Sequence, residues 1–123
     1  MKIYIKNYST TPGARFKQQG PFSAQEFLEL VLINSIFSCY KKEEIVINLD
    51  GVEGYDVSFL EESFGGVFRK VTYQKLNVKF PEGIELNNEY FKWLKENIHF
   101  ESKEFYSFLE LAEKYRDKAY ERI

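Results

Sequence analysis

Apolar positions recur along the chain in two periods, and the switches between them outline the elements. Ile3 and Ile5 stand two apart, with Tyr4 and Tyr8 on the other side, so residues 2–8 read as a strand. Pro12-Gly13 and Gly20-Pro21 break the chain, and Ala14–Lys17 between them reads as a short edge strand. Ser23, with Glu26 three residues on, is a capping box that opens a helix running to about Cys39. Phe22 is placed to staple onto Phe27, and Phe27, Leu28, Val31, Leu32, Ile36 and Phe37 share one wide face. Ile45–Leu49 is apolar without clean alternation, the pattern of a strand covered on both faces. A second helix begins at Asp56 or Ser58, where Ser58 and Glu61 form another capping box. Phe59, Leu60, Phe64, Val67, Phe68 and Val71 give it a buried face.

Gly65 and Gly66 fall inside that helix at a cost of about 1 kcal/mol each relative to Ala, so a close approach to the sheet is expected there. Leu76–Phe80 alternates and reads as a third strand. Asn87 or Asn88 caps a short helix to about Asn97, with Tyr90, Phe91, Leu94 and Ile98 inward. Ser102 caps a last helix carrying Phe105, Phe108, Leu109, Ala112, Tyr115 and Ala119 at three- and four-residue steps, and Arg116, Lys118 and Arg122 suit its negative end. Strand, helix, strand, helix, strand, helix, helix predicts an α/β fold. It would be a small, mostly parallel sheet of three to four strands with helices packed on it and a C-terminal helical extension.

Composition narrows the function. At 123 residues and 14.6 kDa the chain suits one domain, expected over 1–123. Residues 1–70 hold eight basic and nine acidic groups and residues 71–123 hold nine and ten, so each part carries −1. No basic tract points to nucleic acid. The start is polar and alternating, and no apolar run reaches a membrane-spanning length, so a cytoplasmic protein is expected. One Cys and one His cannot make a disulfide framework or an ordinary zinc site, so neither metal nor cofactor is expected. Cys39 reads as half-buried and inert, and His99 as a surface or linker residue. Glu61 and Glu62 have no nucleophile beside them, and a helix start favours acids anyway, so no catalytic residue is assigned and the chain reads as a non-enzyme. Twelve Phe, nine Tyr and one Trp stand out, but most fall at core periods.

Four segments occur in order: Thr11-Pro12-Gly13-Ala14-Arg15, Gly20-Pro21-Phe22-Ser23, Leu49-Asp50-Gly51-Val52 and Ser58-Phe59-Leu60-Glu61-Glu62-Ser63-Phe64-Gly65-Gly66. Over about residues 10–70 the chain resembles the bacterial STAS-like domain family of unknown function. That leaves 71–123, with the third strand and the C-terminal helices, outside the resemblance. The resemblance implies a relative of the STAS domains of sulfate transporters and anti-anti-sigma factors. These are mostly non-enzymatic and bind a protein partner, often a histidine-kinase-like ATPase. Some are controlled by phosphorylation of a Ser at the start of the helix after the central strand, and Ser58 falls on that position. The parent pattern there is Asp-Ser-Ser-Gly; here Val57 replaces the first Ser and Phe59 the Gly, while Asp56 and Ser58 remain.

The expected partner surface is Asp50, Gly51, Gly54, Tyr55, Asp56, Ser58, Phe59 and Glu62. Arg15 is read as an anion anchor or as half of an internal ion pair, with Asp50 or Asp56 as partner. A second copy of the chain is a further candidate partner, since exposed aromatics on the tail would suit a dimer. The alternative function is a small-ligand or nucleotide sensor using the crevice beyond the carboxyl ends of the central strands.

Overall fold

A computed structural model describes the backbone of residues 1–121 and the side chains through Asp117. The side chains of Lys118 and Ala119, and Arg122 as a whole, lie outside the described residues.

Three strands, β1 (Lys2–Tyr4), β2 (Ile45–Asn48) and β3 (Ile98–Glu101), form one parallel sheet in the order β1-β2-β3. Ile3 pairs with Ile47, which pairs with Phe100, and Ile45 pairs with Ile98. These residues share one face, because side chains alternate along a strand. Ile45 and Ile47 are fully buried and Ile98 nearly so. Val46 and Asn48, on the other face, are only half-buried. Strand β2 is therefore covered on one face, not on both.

The first strand is shorter than the sequence predicts: Ile5–Tyr8 is a helical turn, α1, and Ile5 is buried in the core. The expected edge strand at 14–17 is absent; the segment is a loop leading into a tight helical turn, Lys17–Gln19. Helix α2 spans residues 24–39, with Ala24–Phe27 and Ile33–Cys39 α-helical and Leu28–Leu32 wound with π-type hydrogen bonds. Ser23 caps it by accepting the Glu26 N–H at 3.2 Å. The wider π turn shifts the apolar face. Ile33 is buried, while Val31 and Phe37 are only half so. Phe22 packs edge-on against Tyr8 rather than stapling Phe27, and Tyr8 tilts against Phe27.

Helix α3 spans residues 57–65, α-helical over Val57–Leu60 and π-wound over Glu61–Gly65. It ends there, so Gly65 and Gly66 close it rather than interrupt it. The neighbour that needs a small residue is helix α2, not the sheet: a Cβ on Gly66 would lie 3.1 Å from Leu28 Cδ1. Val71, expected on the buried face, is 54% exposed on the next helix, α4 (Lys70–Lys75).

The predicted strand at Leu76–Phe80 is a helix end. Asn77 takes φ 51, its N–H reaches Gln74 O at 3.1 Å, and the Val78 N–H reaches Tyr73 O at 3.1 Å. That bond pair is a Schellman cap on α4, with Asn at the left-handed position. The third strand lies further on, directly after helix α5 (Asn88–Asn97), where Ile98 and Phe100 face the core beside Ile45 and Ile47. Helix α6 (Tyr106–Glu121) then runs back along residues 61–65 and β3. Its Ala112 is fully buried, and Phe64 meets Phe100 edge-on at 4.6 Å. Among the described residues no helix is long and apolar enough to cross a membrane.

Candidate functional site

The site begins where β2 ends. Asn48 Oδ1 accepts the Asp50 N–H at 2.9 Å and turns the chain out of the sheet. Gly51 follows at φ 83, a conformation suited to glycine, and a Cβ there would meet Lys6 Cδ at 2.7 Å. The loop is tied down further on by the Glu53 N–H on Thr10 O at 2.8 Å.

The Asp50 carboxylate is occupied from within the chain. It accepts the Ser102 hydroxyl at 2.6 Å, the Lys103 N–H at 2.9 Å and the Glu104 N–H at 3.0 Å. Glu104 answers by accepting the Gly51 N–H at 2.9 Å. Burial pushes the Asp50 carboxyl up; the bonds from Ser102, Glu104 and Lys103 outweigh it, so the group is held below its usual value. Asp50 thus satisfies N–H groups at a helix approach that would otherwise lack acceptors.

Tyr55 is fixed in the same way. Its hydroxyl donates to Leu49 O at 2.6 Å, and its ring stands edge-on to Phe105 at 5.4 Å and to Phe108 at 5.7 Å. Burial, with Asp50 and Glu104 nearby, drives its phenol far above the usual value.

The other end of the loop is open. Asp56 caps α3 by accepting the Ser58 N–H at 3.0 Å, and it also accepts the Ser58 hydroxyl at 2.7 Å. The cap is therefore Asp56, and the expected Ser58–Glu61 capping box does not form. These two bonds from Ser58 hold the Asp56 carboxyl down, with Arg15 adding to the effect. Asp56 and Val57 are exposed and Ser58 and Gly54 half-buried, whereas Phe59 is fully buried and Glu62 is 7% exposed.

Arg15 pairs with Glu61 and with Glu62 at 2.9 Å, rather than with Asp50 or Asp56. Arg69 pairs with the same two carboxylates, at 3.2 Å for Glu62. This four-charge knot pins the 13–20 loop onto the π-wound turn of α3.

Of the eight residues expected to meet a partner, the structure leaves Gly51, Gly54, Asp56 and Ser58 at least partly accessible. It ties Asp50 and Tyr55 to the tail and buries Phe59 and Glu62. Glu104 and Arg69 complete the surroundings without having been singled out, while Phe105 and Phe108 were expected only as part of a helix face. Their signal in the sequence was slight, since a tail helix with apolar periods announces packing but not its target. Cys39 is buried and its thiol is pushed up, first by burial and then by Glu43. His99 stands on β3 beside Glu44 at 3.7 Å. Among the described residues no group of three or more His, Cys, Asp or Glu gathers as a metal site.

A parallel sheet with helices packed on it, whose central strand leads through a short loop into a capped helix start, defines an α/β domain with its distinctive surface at that loop. Residues 23–81 match the family described as the STAS-like domain of unknown function. The match starts later than residue 10 and extends beyond residue 70, so it takes in the loop 49–56, α3 and α4 but neither β1 nor the tail. No curated protein and no solved structure matches the chain significantly.

Proposed function

We propose that the chain is a single non-enzymatic regulatory unit that binds a protein partner through the accessible end of the central loop. Its STAS-like segment supports a protein-interaction role at the level of the family. The finer reading is a partner-switching module whose partner is a histidine-kinase-like ATPase, controlled by phosphorylation at Ser58. One observation carries it: the Ser58 hydroxyl sits in the first turn of the helix that follows the central strand, at an accessible site, held by the Asp56 carboxylate at 2.7 Å. A phosphate there would add close to two negative charges beside Asp56, and neither group could then donate to the other. The helix start would lose its cap geometry and repel a partner fitted to the neutral form.

The test uses wild-type and Ser58→Asp proteins as bait in an extract of the native host, with captured ATPases identified by mass spectrometry. Wild type should capture one and the Ser58→Asp protein should not. Equal capture by both, or no phosphate on Ser58 in protein isolated from the host under any condition, would sink the switching role.

A second reading, a small-ligand or nucleotide sensor, has one observation in its favour. Phe16, Lys17, Gln18, Gln25 and Lys75 line an open groove of about 330 Å³. Its lining is basic and aromatic, and the Lys75 ammonium lies 5.1 Å from the Phe16 ring centre. A thermal shift with nucleotides that is lost in a Lys75→Ala protein would favour this reading over the first.

A further inference from the structure

We propose that Leu49–Tyr55 is a receptor for a segment that leads into a helix, filled in cis by residues 102–108, and that the protein partner engages by presenting a helix approach of the same chemistry in exchange. The inference rests on the partner-binding reading above and names what the partner must carry.

The segment that now fills the receptor shows what it selects. Backbone N–H groups at the approach to a helix lack acceptors within the helix, and Asp50 takes two of them, from Lys103 and Glu104, at 2.9 and 3.0 Å. Both donors stand just before α6, whose positive dipole end at Tyr106 also favours a carboxylate. Ser102, expected to cap α6, lies four residues before its first residue, and its hydroxyl adds specificity instead: Ser102 Oγ donates to Asp50 at 2.6 Å and accepts the Phe105 N–H at 2.8 Å. An acid two residues after it, Glu104, takes the Gly51 N–H. Two aromatics spaced three apart, Phe105 and Phe108, close edge-on around Tyr55. The pattern is hydroxyl-x-acid-aromatic-x-x-aromatic.

The occupant is built to leave without unfolding the domain. Residues 102–108 are exposed or half-buried throughout, with Tyr106 at 69%. The firm anchors of α6 lie further along, at buried Ala112 and at Arg116, whose guanidinium donates to Ile98 O at 2.8 Å. Few buried contacts and exposed hydrogen bonds are the marks of a segment that opens locally. The occupant also lies wholly outside the STAS-like segment that holds the receptor.

The test measures binding of a fluorescently labelled peptide of residues 102–117 to the full chain by anisotropy. A Phe105→Ala, Phe108→Ala chain should bind it at least about tenfold tighter than wild type, a difference of about 1.4 kcal/mol. Adding Asp50→Ala to that chain, or the two Phe→Ala changes to the peptide, should remove the gain. A folded double variant that binds no better than wild type, or an alanine peptide that binds equally well, overturns the proposal. Should circular dichroism show the double variant unfolded, a Ser102→Ala, Glu104→Ala chain replaces it, because those changes spare the rings; no gain over wild type there overturns the proposal equally. Ser58-sensitive capture of an ATPase without peptide exchange removes this inference and leaves the function standing. Exchange without such capture removes the Ser58-controlled ATPase and leaves the receptor standing.

Discussion

Two aspartates six residues apart show how differently one loop treats its ends. Asp50 bonds to residues 52, 53 and 54 positions further along the chain, while Asp56 bonds to a residue two positions away. Both carboxyls are held below their usual value by hydrogen bonds they accept. Yet the bonds to Asp50 join two distant parts of the molecule, and those to Asp56 only shape one helix turn. A carboxylate that spends its acceptors on distant backbone holds the tail in place. One that spends them next door remains on the surface, open to a partner or a kinase. The pKa is lowered in both, so geometry, not the direction of that shift, separates the two ends.

The largest break in that comparison should come from Tyr55, the ring around which the closed end is built. Tyr55→Ala empties the space between Phe59, Phe105 and Phe108 and should cost roughly 3 kcal/mol, read as a drop in the urea midpoint. Tyr55→Phe keeps the rings together and loses only the bond to Leu49 O, so about 1 kcal/mol is expected. Equal losses in the two variants would mean that the hydroxyl, not the ring, holds the loop closed.

Next in size is Asp50. Asp50→Ala leaves the Ser102 hydroxyl and two N–H groups without their acceptor, and about 2 kcal/mol should be lost. The pH dependence has a definite sign. The folded carboxyl lies below its ordinary 3.8, so its contribution is complete above the unfolded value and disappears as the pH falls through the folded one. Unfolding midpoints followed from neutral pH to about pH 2 should fall less steeply in Asp50→Ala than in wild type. Parallel curves would show that Asp50 contributes nothing to acid sensitivity.

This division was only half legible in the sequence. Ser23, Ile45–Leu49 and the apolar steps of α3 and α6 declared their elements locally, because caps and periodicity are short-range signals. The third strand was misplaced because Leu76–Phe80 and Ile98–Glu101 both alternate. Asn77, at the left-handed position after a helix, was the cue that the first of them caps α4. The two π-wound turns left no readable mark. The fate of Asp50 and Tyr55 was out of reach for a different reason: their partners lie about fifty residues away, and periodicity carries no information about which surface an amphipathic helix will cover. Arg15 shows the same limit. Its role as one half of an ion pair was readable from its charge, but Glu61 and Glu62 were not distinguishable as partners from Asp50 and Asp56.

The smallest effects belong to the open end, and there stability and function should separate. Asp56→Ala removes the cap of α3 and should cost about 1 kcal/mol. Ser58→Ala removes a half-exposed hydroxyl whose partner is the already solvated Asp56, so the change should stay within about 0.5 kcal/mol. Ser58→Asp places a second carboxylate beside Asp56, yet it does so near a positive helix end, and its unfolding midpoint should stay close to that of Ser58→Ala. Partner capture should then differ sharply between two proteins of matching stability, retained with alanine and lost with aspartate. A Ser58→Asp protein that matches Ser58→Ala in both stability and capture would reduce Asp56 and Ser58 to an ordinary helix start.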